Sequence, residues 1–135
     1  MTLYMLDTNT ASAALRGTAG LDARLRQLAP SQWCISSITR AEMRFGVALK
    51  PGAIKLAQYV EAFLQATTTA PWDEAAADHH GLLRARLRTA GTPIGDLDEM
   101  IAAHALALGA VLVTDNTRHF RRVRGLALEN WIRNN

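Results

Sequence analysis

Two short apolar runs, residues 3–6 and 110–114, lead into side chains rich in oxygen: Asp7-Thr8-Asn9 after the first and Thr114-Asp115-Asn116 at the end of the second. If both runs are buried parallel strands, these residues stand at strand carboxyl ends, where open α/β sheets bind their ligands. Asp, Thr and Asn also cap helices well, so either end taken alone is explained by capping. Glu42 is harder to explain that way. In the segment 38–49, Ile38, Ala41, Phe45, Ala48 and Leu49 form one apolar stripe at helical spacing. Glu42 falls at its edge, and a carboxylate aimed toward a core is costly unless something pairs with it. Its neighbours Arg40 and Arg44 lie on other faces of the same helix. The run Gly95-Asp96-Leu97-Asp98-Glu99-Met100-Ile101 holds three acids in one helical turn, a placement the helix dipole favours. Asp96 fits the N-cap, and Glu99 three residues on completes a capping box. Leu97, Met100, Ile101, Ala105 and Leu108 form the core face. Asp98 serves neither purpose and is left for chemistry.

Asp7, Glu42 and Asp98 come from three separated segments, and brought together they repel. Two unit charges about 4 Å apart cost on the order of 4 kcal/mol at an effective dielectric of 20. Three mutual contacts therefore call for protonation or a cation. Oxygen ligands alone suit a hard ion, Mg2+ or Mn2+, rather than zinc. Such an ion activates water and offsets charge on a phosphodiester. Other chemistries find little support. His79 and His80 are adjacent and face apart on a helix, and His104 reads as a satisfied core histidine. No histidine pair has zinc-site spacing, and no glycine-rich phosphate loop is present. Ser36 and Ser37 have no base nearby, and Ser37 fits the N-cap of the helix bearing Glu42. Arg84 and Arg88 share a helix face, and Arg118, Arg121, Arg122 and Arg124 crowd together near the end. Solvated arginine faces are common, so these weigh little toward a polyanion partner.

Strand-like runs at 3–6, 33–36, 67–72, 110–114 and 126–128 must position these residues. They alternate with helical patterns at 10–15, 21–28, 38–49, 54–64, 73–89 and 97–108. Gly17 with Gly20, Pro30, Pro51-Gly52 and Gly91 with Pro93 punctuate them. This alternation is the signature of parallel βαβ units. It predicts an α/β, doubly wound fold: a central parallel sheet of about five strands with helices on both faces, forming one domain over residues 1–135. Two short helices within 10–28 carry Ala11, Ala13, Ala14, Leu15, Leu21, Leu25 and Leu28, more than one sheet face hides. An apolar groove beside the site, fit for an amphipathic partner segment, is therefore expected.

With 49% apolar and 20% charged residues, the chain has an ordinary globular composition. No apolar run reaches membrane-spanning length. The first residues lack the basic start and apolar stretch of a signal peptide. A single cysteine, Cys34, excludes an internal disulfide and fits a cytoplasmic protein. Fifteen Lys and Arg against twelve acids give a net charge of +3 and a pI near 9.6, compatible with a nucleic-acid partner.

A set of motifs then narrows the reading. It comprises Met5-Leu6-Asp7-Thr8-Asn9, Ile35-Ser36-Ser37-Ile38-Thr39 with Glu42, and Pro93-Ile94-Gly95 with Asp98 and Ile101-Ala102-Ala103-His104-Ala105. Val113-Thr114-Asp115-Asn116-Thr117-Arg118 with Phe120, and Gly125-Leu126 with Glu129-Asn130-Trp131, complete it. In this order and spacing, from the first strand to Trp131, the chain resembles the VapC PIN-domain toxins of VapBC toxin–antitoxin pairs. The resemblance implies a PIN-like fold and an Mg2+-dependent endoribonuclease (Mn2+ serving as well) acting on cellular RNA, transfer RNA in particular. It also implies inhibition by a VapB-like antitoxin, with a homodimer or larger toxin–antitoxin assembly. Its acids fall on Asp7, Glu42 and Asp98, all three as metal ligands, and its fourth position on Asn116, which holds water or the phosphate. Asparagine departs there from the four-acid pattern of PIN domains. Two rivals are a non-catalytic RNA-binding module on the same fold and a phosphoacceptor receiver domain. The latter needs an acid pair after the first strand, and Asp7 has no acidic neighbour.

Overall fold

The computed structural model describes residues 1–133. Its strands are β1 (Tyr4–Leu6), β2 (Trp33–Ser36), β3 (Thr69–Ala70), β4 (Val111–Val113) and β5 (Leu128–Glu129). They pair in parallel in the order β3-β2-β1-β4-β5, with Tyr4 opposite both Trp33 and Val111. The helices are α1 (Thr8–Leu15), α2 (Ala19–Arg26), α3 (Ser37–Ala48), α4 (Ile54–Ala66), α5 (Glu74–Thr89), α6 (Asp96–Leu108) and α7 (Thr117–Phe120).

Side chains alternate across a strand, so each central strand feeds two cores. Met5, Cys34 and Leu112 pack with Leu83 and Leu87 of α5 and Ile101 and Ala105 of α6. Leu6, Ile35 and Val113 pack on the other face with Ala11, Leu21, Met43, Val60 and Leu64. This is why the strands read as unbroken apolar runs. Strand order reverses at β1, and a crevice opens outside the carboxyl ends at such a reversal. Here it lies between the ends of β1 and β4, which Asp7 N–H locks together by donating to Val113 O at 3.0 Å. Beyond β5, Trp131 is buried against Tyr4, and the Arg24 guanidinium lies over its ring.

Elements and order follow the sequence-based expectation, with local differences. Gly17 is left-handed (φ +75) and breaks the chain, but Gly20 lies inside α2. The strand expected over 67–72 shrinks to Thr69–Ala70. At one end the Thr67 hydroxyl donates back to Phe63 O of α4, and at the other Trp72 N–H donates to Ser37 Oγ. Ser36, not Ser37, therefore caps α3, its Oγ accepting from Ile38 N at 3.1 Å. The apolar stripe of α3 is not its buried face. Thr39 and Met43 are buried, whereas Phe45 and Leu49 are each 64% exposed.

The buried face of α6 is the expected one in part, at Ile101 and Ala105. Ile101, Ala102, Ala103, His104 and Ala105 are buried, while Leu97 and Leu108 are largely exposed. The run of small residues lets the helix sit close to both the sheet and α5. Nor is Asp96 the N-cap of α6: Gly95 holds that place at φ +99, ψ 147, without a side-chain cap. That backbone region is accessible essentially to glycine alone. A Cβ at Gly95 would meet no atom within 4 Å, so the obstacle is the backbone itself. Gly95→Ala is expected to lose roughly 1–3 kcal/mol of unfolding free energy in urea titrations. Gly52→Ala, which has no positive φ to hold, should change stability by about 0.5 kcal/mol or less. Equal stability of the two variants would contradict this reading.

Candidate active site

Asp7 follows β1 directly and caps α1. Its Oδ1 accepts from Thr10 N at 2.8 Å. Its Oδ2 accepts from the Thr114 hydroxyl, at the end of β4, at 2.6 Å. The same hydroxyl oxygen accepts from Asn116 N at 2.9 Å. One carboxylate thus ties together the two strand ends that flank the crevice. Asp7 is only 4% exposed. Burial pushes its carboxyl above the ordinary range, the bonds from Thr114 and Thr10 oppose that, and the charge of Asp115 adds to it.

Asp98 enters from the first turn of α6, its side chain 42% exposed. Burial raises its carboxyl as well. Proximity to His119 works the other way, and the charge of Asp7 raises it further. The two aspartates therefore feel each other across the crevice. His119 Nε2 lies 2.7 Å from Ile94 O and 3.2 Å from Asp98 Oδ2. A carbonyl only accepts, so Nε2 carries the proton, and Asp98 is its second acceptor. Ile94 is held from its other side too: its N–H donates to Glu99 Oε2 at 3.2 Å. Glu99, expected in a capping box, is instead 2% exposed and fixes the loop that leads into α6.

Glu42 projects from α3 toward α1, where the Thr8 hydroxyl donates to its Oε1 at 2.6 Å. That hydroxyl also lies 3.1 Å from Thr39 Oγ1, which then donates to it. A salt bridge does not explain Glu42, since Arg44 pairs with Glu61 and Arg40 donates to Thr69 Oγ1. Asn116 is exposed; its backbone N–H donates to Thr114 and its carbonyl accepts from His119 N and Phe120 N, and its side chain has no partner among the described residues. Asp115 turns away, accepting from Asn130 Nδ2 at 3.0 Å and Arg133 Nε at 2.6 Å. Those contacts, the Asn130 bond foremost, hold its carboxyl below the ordinary range.

The structure thus places Asp7 and Asp98 within each other's field, with Asn116 attached through Thr114 and Glu42 through Thr8. It does not close Asp7, Glu42 and Asp98 into a three-carboxylate cluster. Among the described residues, no three His, Cys, Asp or Glu side chains converge closely enough to hold one ion. The donor chemistry still suits a hard cation. Two carboxylates with raised proton affinity stand at the crevice, and among the described residues no sulfur or accepting imidazole nitrogen is paired with them. Asp7 and Asp98 could hold such an ion, and Glu42 is joined to the site through the Thr8 hydroxyl. Sequence reasoning missed the bonds that Thr114 and Thr39 make and the role of His119, and gave Glu99 a capping role it does not have. The first two had a visible signal, a hydroxyl beside each acid-bearing end, whereas His119 depends on how α7 folds back. His104 is buried, with Nδ1 2.8 Å from Ser36 Oγ and a further backbone contact at Pro71.

The apolar surface expected on α1 and α2 lines two smaller hollows: Leu15 borders one of about 230 Å³ beside Thr8 and Glu42, and Ala14 and Leu25 border one of about 270 Å³ with Trp33 and Phe63. Ala11, Ala13 and Leu21 go into the core, and Ala14, Leu15, Leu25 and Leu28 pack partly against it. A larger apolar hollow, about 540 Å³, lies between α3 and α6. It is lined by Ile38, Ala41, Phe45, Leu97 and Met100 and borders Thr8 and Glu42.

The PIN domain pattern matches residues 4–126. The "tRNA(fMet)-specific endonuclease VapC" of Salmonella typhimurium is 37% identical over 131 residues, covering 97% of this chain and 99% of that protein. "Ribonuclease VapC2" of Haemophilus influenzae is 37% identical over 133 residues, covering 98% and 100%. Among solved structures, VapBC2 from Rickettsia felis bound to a promoter DNA fragment superposes with a TM-score of 0.90. It is 33% identical, over 96% of this chain and 99% of that one. DNA-bound VapBC from Salmonella typhimurium gives the same TM-score at 37% identity, over 97% and 99%.

The raised carboxyl of Asp7 makes a testable statement about stability. Its folded-state proton affinity exceeds the unfolded value, so the cost is fully present above the folded pKa. That cost fades as pH falls toward the ordinary carboxylate range. Asn caps a helix as well as Asp and removes the charge that reaches Asp98. In chelator at neutral pH, Asp7→Asn should melt at a higher temperature than wild type. The gain should shrink as pH is lowered to about 4 and when excess Mg2+ is added. Glu42→Gln should shift far less. A lower melting temperature for Asp7→Asn in chelator would overturn the repulsion.

Proposed function

The chain belongs to the PIN-domain family, as a VapC-type ribonuclease, and on that premise we propose how its own residues carry out a divalent-metal-dependent cleavage of RNA. The observation that carries the proposal is Asp7 and Asp98, two carboxylates partly stripped of water at the sheet's reversal point, the charge of Asp7 reaching Asp98. Asp7 and Asp98 would hold the cation, with Mg2+ or Mn2+ the fitting choice for oxygen donors. When bound, such an ion polarises water and offsets the charge that develops on the phosphodiester.

The remaining residues position and exclude. Thr114 and Thr10 fix both oxygens of Asp7, so its orientation is set before any ligand arrives. His119 limits the swing of Asp98 by donating to it. Glu42, steadied by Thr8 and Thr39, serves as outer acceptor that orients the attacking water. The exposed Asn116 amide, a donor without charge, meets the scissile phosphate. The substrate is cellular RNA, with transfer RNA the proposed target, because the Salmonella relative is named as a tRNA(fMet)-specific endonuclease.

The chain acts as the toxin of a toxin–antitoxin pair in the cytoplasm. The solved neighbours named VapBC are complexes of that kind, and no described helix is long and apolar enough to cross a membrane. The inhibitory partner is a VapB-like antitoxin. An apolar segment of it seats in the hollow between α3 and α6, and a cationic side chain reaches the acids and competes with metal. The active assembly is a homodimer or a larger toxin–antitoxin complex.

Purified protein incubated with a bacterial transfer-RNA pool should cut it in Mg2+ or Mn2+ and stop in EDTA. Asp98→Asn should lower the rate by roughly a hundredfold or more while the circular dichroism spectrum is unchanged. Asp96→Asn, exposed and without a partner role, should cut like wild type. Undiminished cleavage in excess chelator, or the reverse ranking of the two variants, would sink the proposal.

A further inference from the structure

Four of the chain's thirteen arginines are ion-paired among the described residues. Arg24 pairs with Glu129, Arg26 with Asp22, Arg44 with Glu61 and Arg133 with Asp115. Three others converge unmatched. Arg86 of α5 and Arg122 and Arg124, just beyond α7, line one hollow of about 480 Å³ with Thr92, over a floor that includes the buried Leu83 and Leu87. No carboxylate lines it. Among the described residues, none of the three makes an ion pair, and the one bond among them runs from Arg122 Nη1 to Pro93 O at 3.2 Å. Three cations around one concavity repel each other, and a fold gains nothing from gathering them unless an anion fills the space.

The position of this hollow says which anion. Pro93 O accepts from Arg122, and the next carbonyl, Ile94 O, accepts from His119, which also donates to Asp98. One stretch of loop therefore has the active site on one side and the arginines on the other. We propose that the Arg86–Arg122–Arg124 hollow seats the phosphate backbone of the RNA substrate next to the cleavage site. Guanidinium forks suit phosphate oxygens and are always charged. Nothing in the hollow reads a base edge, so the contact is sequence-independent and serves affinity and register. Arg84 and Arg88 are exposed on the same helix but do not line the hollow, so sequence alone did not separate them from Arg86.

This inference rests on the reading of the chain as a ribonuclease, and the test keeps the two apart. Binding is measured with the cleavage-deficient Asp98→Asn protein and a bacterial transfer-RNA pool in chelator, across a salt series, so no turnover is needed. Replacing Arg86, Arg122 and Arg124 together by Gln should weaken binding by about tenfold or more. It should also flatten the salt dependence by roughly 0.7–0.9 per lost phosphate contact. Lysine at the three positions should restore most of the salt slope, and Arg84→Gln with Arg88→Gln should do neither damage nor good. In the cleaving protein, the triple Gln change should raise KM and leave kcat nearly intact. Unchanged affinity and slope in the triple Gln variant, with wild type cutting RNA normally, would overturn the hollow alone. If that variant kept its RNA affinity but no longer bound antitoxin, the surface would be a protein-docking site, and the proposal would be wrong. If wild type cuts no RNA while the triple Gln variant still loses binding, the hollow stands and the ribonuclease reading fails.

Discussion

A buried carboxylate at the end of the central strand sets the terms for the rest of this structure. Asp7 sits where β1 and β4 part, almost without solvent, steadied by the Thr114 hydroxyl and by Thr10. Such a group is tolerated only when its hydrogen bonds are met and its charge has somewhere to go. The strand order supplies the position, because only at the reversal does a strand end face an open crevice rather than a neighbour. The bonds supply orientation. What they leave over is a negative charge in a poorly solvated place, and a second one, Asp98, is brought up to it.

Bringing Asp98 up is the task of the loop before α6. Ile94 has both peptide groups tied, one to Glu99 and one to His119. Gly95 then turns through a conformation other residues avoid, and α6 starts at once. The alanine-rich face of α6 lets the helix lie against the sheet and α5, which fixes how far Asp98 reaches. Stability and site are thus opposed locally: the contacts that hold the loop also hold two like charges together. A structural role alone does not call for that arrangement, whereas a cation-binding one does.

Much of the architecture was legible in the sequence because parallel strands buried on both faces leave unbroken apolar runs, and glycine and proline mark their connections. Burial directions within helices were less so. The stripe from Ile38 to Leu49 has helical spacing yet faces outward, since Met43 and Thr39 make the inward contacts; period alone does not say which side meets the core. Asp98 was set apart from Asp96 by a capping scheme that the structure lacks. The real distinction is that Asp98 meets His119 and the field of Asp7, both supplied by segments distant in sequence. His119 escaped notice for the same reason, and Thr114 was visible only as part of a polar strand end, as each acts on an acid about twenty or more than a hundred residues away.

The pairing of Asp7 with Asp98 is tested most directly by a crystal grown or soaked with Mn2+ and measured at the manganese absorption edge. An anomalous peak bridged by the Asp7 and Asp98 carboxylates, with Glu42 beyond direct contact or reached through water, is the predicted result. A peak elsewhere, or none at these two residues in fully loaded crystals, would contradict the assignment of this pair as the metal-holding core of the site.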